Sequence, residues 1–327
     1  MKNDSLIRGM TIDVRPNSNL VDDGLLLEET IEGFRLKICI TYPKEVTAGS
    51  DLDKLAFENA VTNRDNKQVK ALFASEILEK FSLTYGKKRV VLCFDYEIDR
   101  NYSIINEARV YETIFINSFK TSYQEAAQIL CRPNHSHYKQ LQVLLAVAKK
   151  SWQSRIKANF KYNKQEHWPK KPEEWMRVMV AELMNLANRT VGKFLAEQNA
   201  PAIYRNCVLT SGTANYMLKE LLKLKSPLEI QGNVCSLGIN SKGHACLVFP
   251  SYLTLTSPLW RYVDMVNQRI FCYHLFKQGL KYQKKELLTI IRTLDTAAKK
   301  TDISAGNITG VKKEPNQFLS ALIRASF

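Results

Sequence analysis

The hydrophobic pattern of this chain changes its period near residue 121, and this change restricts the possible folds more than any other feature. Before it, apolar and polar residues alternate in short runs that are typical of β-strands. These runs cover residues 11–14, 24–28, 34–40, 88–98 and 108–119. After Thr121-Ser122, which is a good helix cap, longer stretches with a period of about 3.6 residues predict helices over 138–155 and 173–198. The sequence therefore predicts an α+β fold, with a mixed sheet in the N-terminal half and long helices in the second half.

Shorter elements are predicted around these segments. A capped helix is expected from Asp51, and two further strands are expected over residues 228–237 and 244–249. Helices should follow over about residues 257–276 and 284–300. Ser257 is predicted to cap the first of these two, with Pro258 at its first helical position.

The chain carries a large excess of positive charge. Its 327 residues include 47 Lys and Arg but 32 Asp and Glu, so the formal net charge is +15 at pH 7. Such an excess attracts polyanions and favours nucleic acid as a partner. The seven cysteines show no paired Cys-x-x-Cys spacing, and neither a signal peptide nor an apolar stretch of membrane-spanning length is present. We expect a soluble intracellular protein, in the cytoplasm or an equivalent reducing compartment, with no membrane partner.

Residues 155–172 are the densest mixture of basic and aromatic side chains. The residues predicted to bind RNA within it are Arg155, Lys157, Lys161, Tyr162, Lys164, Lys170 and Lys171. Cationic groups attract phosphates and aromatic rings stack on bases, so this composition favours binding of a single strand. A solvated loop of a basic protein would have the same composition, and the sequence leaves both interpretations open.

Three aspartates, Asp13, Asp22 and Asp23, fall on one predicted strand and the loop that follows it. Carboxylate oxygens are preferred ligands of magnesium, so these residues are a candidate metal site. Aspartates are also frequent in turns, because their side chains form hydrogen bonds with nearby backbone groups. The spacing alone does not separate the two interpretations.

The residues around these aspartates resemble a known catalytic domain. Thr11-Ile12-Asp13, separated by eight residues from Asp22-Asp23-Gly24-Leu25, is similar to the opening of the RNB domain of the ribonuclease II family. Residues 182–205 resemble a later helix motif of that family, in the same order along the chain. Residues 256–264, Thr-Ser-Pro-Leu-Trp-Arg-Tyr-Val-Asp, resemble its Thr-Ser-Pro-Ile-Arg-Arg-Tyr-x-Asp motif. The resemblance covers about residues 8–305.

The resemblance implies a single RNB-type domain over residues 1–327, with a core of about 8–305 and a short tail over 306–327. No cold-shock barrel and no C-terminal oligonucleotide-binding barrel are expected. It also implies a channel that admits single-stranded RNA with its 3′ end first, and magnesium-dependent hydrolysis of one nucleotide at a time. By this resemblance Asp13, Asp22 and Asp23 would bind the metal, and Arg261 would act with them in catalysis.

Three positions depart from the family pattern. The second of the four family aspartates falls on Leu20 or, with the loop insertion placed differently, on Asn19. The first arginine of the arginine pair is Trp260, and Arg261 matches the second. A tyrosine that clamps RNA in some members falls near Arg64. We therefore predict an RNA-binding protein whose 3′→5′ exoribonuclease activity is weakened or lost, with magnesium as cofactor if it is active and no cofactor otherwise.

Two alternatives stay open at this point. The chain could be an active magnesium-dependent 3′→5′ exoribonuclease on single-stranded RNA. It could also be a scaffold or subunit of a ribonucleoprotein assembly, with no open RNA channel. The expected partner is single-stranded RNA or an RNA-containing complex, and protein partners are compatible with each interpretation.

Overall fold

The first half of the chain forms a closed five-stranded barrel. The computed structural model describes residues 6–13, 20–65, 70–159, 168–209 and 233–304. The barrel strands are β1 (Ile7–Asp13), β2 (Asp23–Glu29), β3 (Gly33–Thr41), β4 (Lys88–Asp99) and β5 (Arg109–Ser122). Successive strands pair antiparallel, and β5 closes the barrel by pairing parallel with β1. The mixed sheet predicted for this half is confirmed.

Helices dominate the rest of the chain, as predicted. Helices α1 (Asp51–Asp65) and α2 (Ser75–Phe81) lie between β3 and β4 in sequence. The later helices are α3 (Tyr123–Ile129), α4 (Tyr138–Asn159), α5 (Pro172–Glu197), α6 (Tyr262–Phe276) and α7 (Lys284–Ser304). Between α5 and α6, strands β6 (Tyr204–Leu209) and β7 (Asn233–Gly238) form a two-stranded antiparallel sheet. Within the described residues, no helix combines the length and the apolar character needed to cross a membrane.

Strand β4 is apolar on both of its faces. Leu92 and Phe94 join the principal hydrophobic core, which also contains the buried positions of the helices. Val91 and Cys93 point the other way and belong to a smaller cluster with Phe115. Successive side chains of a strand lie on opposite faces, so burial of both faces produces a nearly continuous apolar run in the sequence.

Gly24 lies on β2 directly after the aspartate pair, where the backbone runs against an aromatic ring. A Cβ atom at this position would lie 2.4 Å from Cζ of Phe115, which is closer than any real side-chain contact. The absence of a side chain at Gly24 therefore lets the Phe115 ring fill the space beside the strand that carries Asp23.

The predicted cap near residue 121 forms at the junction of β5 and α3. The Oγ of Ser122 accepts a hydrogen bond from the Glu125 N–H at 3.1 Å, and the Ser122 N–H donates to the Glu125 carboxylate at 2.8 Å. This reciprocal pair is a capping box and starts the helix at Tyr123. Ser122 is also the residue of β5 that lies opposite Asp13 of β1. The cap thus fixes the end of β5 at the level of the first candidate ligand.

Two predictions of local structure are wrong. Residues 257–260 do not begin a helix, because α6 begins at Tyr262 with Arg261 at its cap. Instead, the Ser257 N–H donates to the buried Asp264 carboxylate at 2.9 Å, which holds these residues in a turn. Residues 244–249 do not form a strand either. They form isolated bridges on both sides of a short 3₁₀ helix, Ala245–Leu247, whose cap Val248 has a left-handed backbone (φ 57°).

Candidate active site

Val21 and Asp22, which directly precede β2, are held by hydrogen bonds on both sides. The Val21 N–H donates to Ser82 Oγ at 2.8 Å, and the Leu83 N–H donates to the Val21 carbonyl at 2.9 Å. On the other side, the Thr41 N–H donates to the Asp22 carbonyl at 2.7 Å. These hydrogen bonds fix the backbone that carries the Asp22 side chain.

The barrel brings the three predicted aspartates together. Met10 of β1 lies opposite Leu25 of β2, so the end of β1 at Asp13 lies beside the start of β2. The charge of Asp13 raises the pKa of Asp23, and the charge of Asp23 raises the pKa of Asp22. The grouping of these residues predicted from the sequence is thus present in the structure. Their role as metal ligands remains a prediction.

Asp22 is the most enclosed of the three. Its side chain is buried, and neither carboxylate oxygen has a hydrogen-bond partner of good geometry within the described residues. Burial raises its pKa well above the ordinary range, and Asp23 and Asp264 raise it further. The positive charge of Arg261 and the nearby Leu259 N–H act in the opposite direction. A buried carboxylate in this state is stable only when it holds a proton or a cation.

Asp23 is partly exposed, but its carboxyl also titrates abnormally. Burial, together with the charge of Asp13, raises its pKa to about 7. The neighbouring Tyr123 at the start of α3 has its pKa raised by burial and by the charges of Asp23 and Asp13. Three carboxylates that repel one another in a partly dry site are the donor set and the electrostatic environment that suit a hard divalent cation such as magnesium.

Arg261 lies between this carboxylate group and the C-terminal helices. Both its Nε, at 3.0 Å, and its Nη2, at 2.7 Å, donate to Oδ2 of Asp264. Asp264 is fully buried and also accepts a hydrogen bond from Thr254 Oγ1 at 2.6 Å. The positive charge of Arg261 lowers the pKa of Asp22, so the arginine acts electrostatically on the candidate ligands.

The sequence interpretation missed Arg177, which lies beside the same site. Its guanidinium carbon is 5.9 Å from the centre of the Tyr123 ring, and its charge lowers the pKa of that tyrosine. The Nε of Arg177 is buried without a hydrogen-bond partner in the part of the chain that the structure describes. No local motif marks this residue, because its place depends on how α5 packs against α3.

The residues at the three divergent positions have different surroundings. Leu20 is partly buried and packs against the principal core, as an apolar side chain would and a carboxylate would not. Trp260 is also partly buried and lines a cavity of about 460 Å³ together with Arg64, Arg205 and Arg261. The fold thus brings Arg64 to the same cavity as Trp260, and Trp260 leaves this space open.

A second cavity, of about 710 Å³, is lined by residues such as Tyr102, Lys150 and Arg189. Among the described residues that line either cavity, none is one of the three aspartates. The candidate site is therefore defined by the three carboxylates, and Arg261, which acts on Asp22, connects it to the smaller cavity.

The predicted RNA-binding stretch divides into different environments. Arg155 is buried, and its Nη2 forms an ion pair with Glu182 at 2.6 Å, so its guanidinium does not belong to an exposed basic surface. Lys170 and Lys171 are exposed. Residues Lys161, Tyr162 and Lys164, and the side chain of Lys157, lie outside the described residues.

Comparison with known proteins gives a consistent family signal. The RNB domain family matches residues 6–237. The curated protein Exoribonuclease 2 of Psychromonas ingrahamii is 23% identical over 320 residues, which cover 80% of this chain and 48% of that protein. The chain spans about half the length of the curated relatives that it matches first.

Solved structures share the fold at low sequence identity. RNase R of Mycoplasma genitalium, solved in complex with ribose-methylated single-stranded RNA, superposes with a TM-score of 0.71 at 17% identity. That match covers 97% of this chain and 57% of the other. Yeast Ssd1, described as a pseudonuclease, superposes with a TM-score of 0.68 at 15% identity, over 91% of this chain and 43% of the other. The predicted RNB-type α+β fold is confirmed.

Proposed function

Because the chain belongs to the RNB domain family, we propose that it binds single-stranded RNA and that its hydrolysis of RNA from the 3′ end is weakened or lost. The observation that carries this proposal is the contrast at the site. Asp13, Asp22 and Asp23 converge and Leu20 packs against the core, while the resemblance of residues 256–264 implies an arginine at the position of Trp260. The site would retain its ability to bind a cation and an RNA end better than its ability to stabilise the transition state.

The three aspartates would hold a magnesium ion, which supplies an activated water and neutralises charge on the scissile phosphate. The partly dry environment of Asp22 supports this assignment, since its unpaired oxygens need a cation or a proton. Arg261 would face the phosphate from the other side while Asp264 keeps the guanidinium in place. Single-stranded RNA is the ligand of the related RNase R in its solved complex.

Hydrolysis should be slow because the site lacks one carboxylate for the metal ion and one cation for the phosphate. A carboxylate at position 20 would add charge to the metal site, and leucine supplies no ligand atom. An arginine at position 260 would add a second cation for the charge that develops on phosphate oxygens. Loss of one such group costs about 3 kcal/mol of transition-state stabilisation, or roughly a hundredfold in rate.

An active magnesium-dependent exoribonuclease is the second candidate, and the enclosed Asp22 favours it. A buried, ionised carboxylate without hydrogen-bond partners destabilises the fold unless a bound ion stabilises it. The scaffold alternative has less support because a cavity of about 460 Å³ lies beside Trp260 and Arg261, where an RNA end could bind.

One incubation distinguishes the candidates. The purified chain is mixed with single-stranded RNA labelled at its 5′ end, in magnesium, in manganese and in a chelator, and the products are separated by length. We expect binding in a mobility assay with slow metal-dependent shortening or none, and no shortening by the Asp22→Asn variant. Rapid, processive shortening by the wild-type chain would establish the enzyme. No binding at low salt would leave only the scaffold role.

A further inference from the structure

Three side chains with sulfur or nitrogen donor atoms, none of them one of the three aspartates, meet at the β6–β7 sheet. Cys207 of β6 lies opposite Cys235 of β7 in the antiparallel pair, and their sulfur atoms are 2.9 Å apart. His244 lies next to Cys207 through a parallel bridge. One donor atom from each of these residues lies within 4.8 Å of the donor atoms of the other two.

The backbone around this cluster holds it in place. The Cys207 N–H donates to the Gly243 carbonyl at 3.0 Å, and the His244 N–H donates to the Phe249 carbonyl at 2.8 Å. Cys207 and His244 are buried, whereas Cys235 is exposed. The cluster therefore has fixed ligand positions on its inner side and an open side through which an ion can enter.

The donor set indicates which ion would bind. Thiolate sulfur and imidazole nitrogen are the preferred ligands of zinc, whereas magnesium and calcium prefer oxygen. Zinc binds four ligands in tetrahedral geometry, so three protein ligands leave one position for water or a further side chain. Cys246 is the nearest further cysteine in sequence, two residues after His244.

In each neutral tautomer, His244 has one unprotonated ring nitrogen that can bind a metal ion. The Leu247 N–H donates to the His244 carbonyl at 3.1 Å and also to Nδ1 of His244 at 3.3 Å. Binding through Nδ1 would replace the longer of these contacts. Binding through Nε2 would place the ring proton on Nδ1, so the Leu247 N–H would lose its bond to Nδ1 and keep its bond to the carbonyl.

The location of the cluster also supports a structural ion. A two-stranded sheet has little stability by itself, and β6 and β7 form a sheet that is separate from the barrel. The small cluster of Leu247, Phe249 and Tyr252 supplies the apolar contacts near His244. The strands carry Arg205 and Cys235, which line the cavity shared by Trp260 and Arg261. An ion that ties the two strands to residue 244 would therefore fix one wall of this cavity.

We propose that Cys207, Cys235 and His244 bind a zinc ion that stabilises the β6–β7 sheet beside the candidate active site. The ion is structural, and it is separate from the magnesium that the aspartates would hold. Such an ion would cross-link residues 207, 235 and 244, and it would add to the contacts that Tyr204 of β6 and Leu237 of β7 make with the principal core.

The test measures the metal content of the full chain directly. The protein is produced with zinc in the medium and purified under reducing conditions without chelator. Its zinc content is then measured by elemental mass spectrometry. We expect about one zinc ion per chain. Exchange for cobalt should produce the strong near-ultraviolet absorption of cobalt bound to thiolates, together with visible bands of tetrahedral cobalt. These measurements on the wild-type chain do not depend on the folding of any variant.

Variants then identify the ligands. Cys207→Ser, Cys235→Ser and His244→Asn should each lower zinc retention against a competing chelator by at least about tenfold. Cys131→Ser changes an exposed free cysteine outside the cluster and should retain zinc as the wild type does.

Two results would overturn the proposed zinc site. A wild-type chain that contains no zinc, does not bind cobalt and shows Cys207 and Cys235 joined as a disulfide after alkylation and peptide mapping would overturn the proposal. Zinc that remains after removal of any one of the three ligands would overturn it as well.

Discussion

Asp264 holds Arg261 with a single carboxylate oxygen, which accepts hydrogen bonds from both Nε and Nη2 of the guanidinium. The other oxygen of Asp264 accepts a hydrogen bond from Thr254 Oγ1. The carboxylate is therefore anchored by a contact that does not involve the arginine. This arrangement makes Asp264 a positioning residue for Arg261.

We predict that Asp264→Asn weakens RNA binding by acting through Arg261. Arg261→Ala should lower the affinity for single-stranded RNA by about tenfold, since a charge-assisted contact to phosphate is lost. Asp264→Asn should cause a smaller loss, and the double variant should be no weaker than Arg261→Ala alone. Fluorescence anisotropy with labelled RNA measures these affinities. Asp51→Asn, an exposed change of the same charge, is the control, and additive losses in the double variant would contradict the positioning role.

Restoring the family residues should raise hydrolysis. We expect Trp260→Arg together with Leu20→Asp to increase magnesium-dependent release of nucleotides from the 3′ end, and each single change to have a smaller effect. The assay uses 3′-labelled single-stranded RNA, and Asp22→Asn in the double background is the inactive control. Since Leu20 packs against the core, the thermal stability of each variant is measured in parallel. A wild-type chain that is already processive, with no gain from the double change, would refute the argument that the site is degraded.

The free energy of unfolding of the metal-free protein should fall as pH rises through the acidic range. The pKa of Asp23 is raised from 3.8 to about 7, and that of Asp22 is raised in the same direction, so the folded state binds these protons more tightly than the unfolded state. The contribution of these protons to the free energy of unfolding is fully present below the pKa of the unfolded state, near 3.8. It is lost as pH rises through the folded-state pKa of Asp23, about 7. Urea unfolding in a chelator at several pH values measures this effect.

The control for this pH dependence is Asp22→Asn, which removes one of the titrating groups and should flatten the curve. Addition of magnesium at neutral pH should restore stability to the wild type if the aspartates bind the ion. An unchanged curve in Asp22→Asn would contradict the assignment of the titration to this site.

Gly24→Ala should destabilise the barrel. The new Cβ atom would lie 2.4 Å from the Phe115 ring, so the ring or the strand has to move. We expect a loss of about 2 kcal/mol in the free energy of unfolding. Phe115→Leu on its own should also destabilise the protein, but the double variant should lose less than the sum of the two. Additive losses would show that the ring is not the obstacle.

Arg155 and Lys170 should differ in their effects on RNA binding and stability. Breaking the buried ion pair with Arg155→Met should cost about 3 kcal/mol of stability, and adding Glu182→Leu should recover part of it.

Lys170→Gln with Lys171→Gln should leave stability unchanged and reduce the salt dependence of RNA binding, because two exposed cations are removed. Salt titrations of RNA affinity and urea unfolding measure the two effects. A salt dependence that is unchanged in the lysine variants would place the RNA contact elsewhere.

The sequence by itself determined the type of most elements, the position of the cap at Ser122 and the grouping of Asp13, Asp22 and Asp23. These features depend on local patterns: strand alternation, a capping motif, and ligands within eleven residues of one another in sequence. The start of α6 could not be predicted in this way, because Asp264 captures the Ser257 N–H that a helical cap would have used differently.

Only the tertiary structure decided which side chains meet across long sequence distances. It paired Arg155 with Glu182, brought Arg177 to Tyr123, and joined Cys207, Cys235 and His244, although none of these sets has a characteristic spacing. The physical reason is that such contacts depend on how helices and strands pack, and a sequence period fixes the face of an element but not the neighbour of that face. Arg155 lies in a stretch whose composition is typical of a nucleic-acid contact. Packing nevertheless buries it in an ion pair with Glu182.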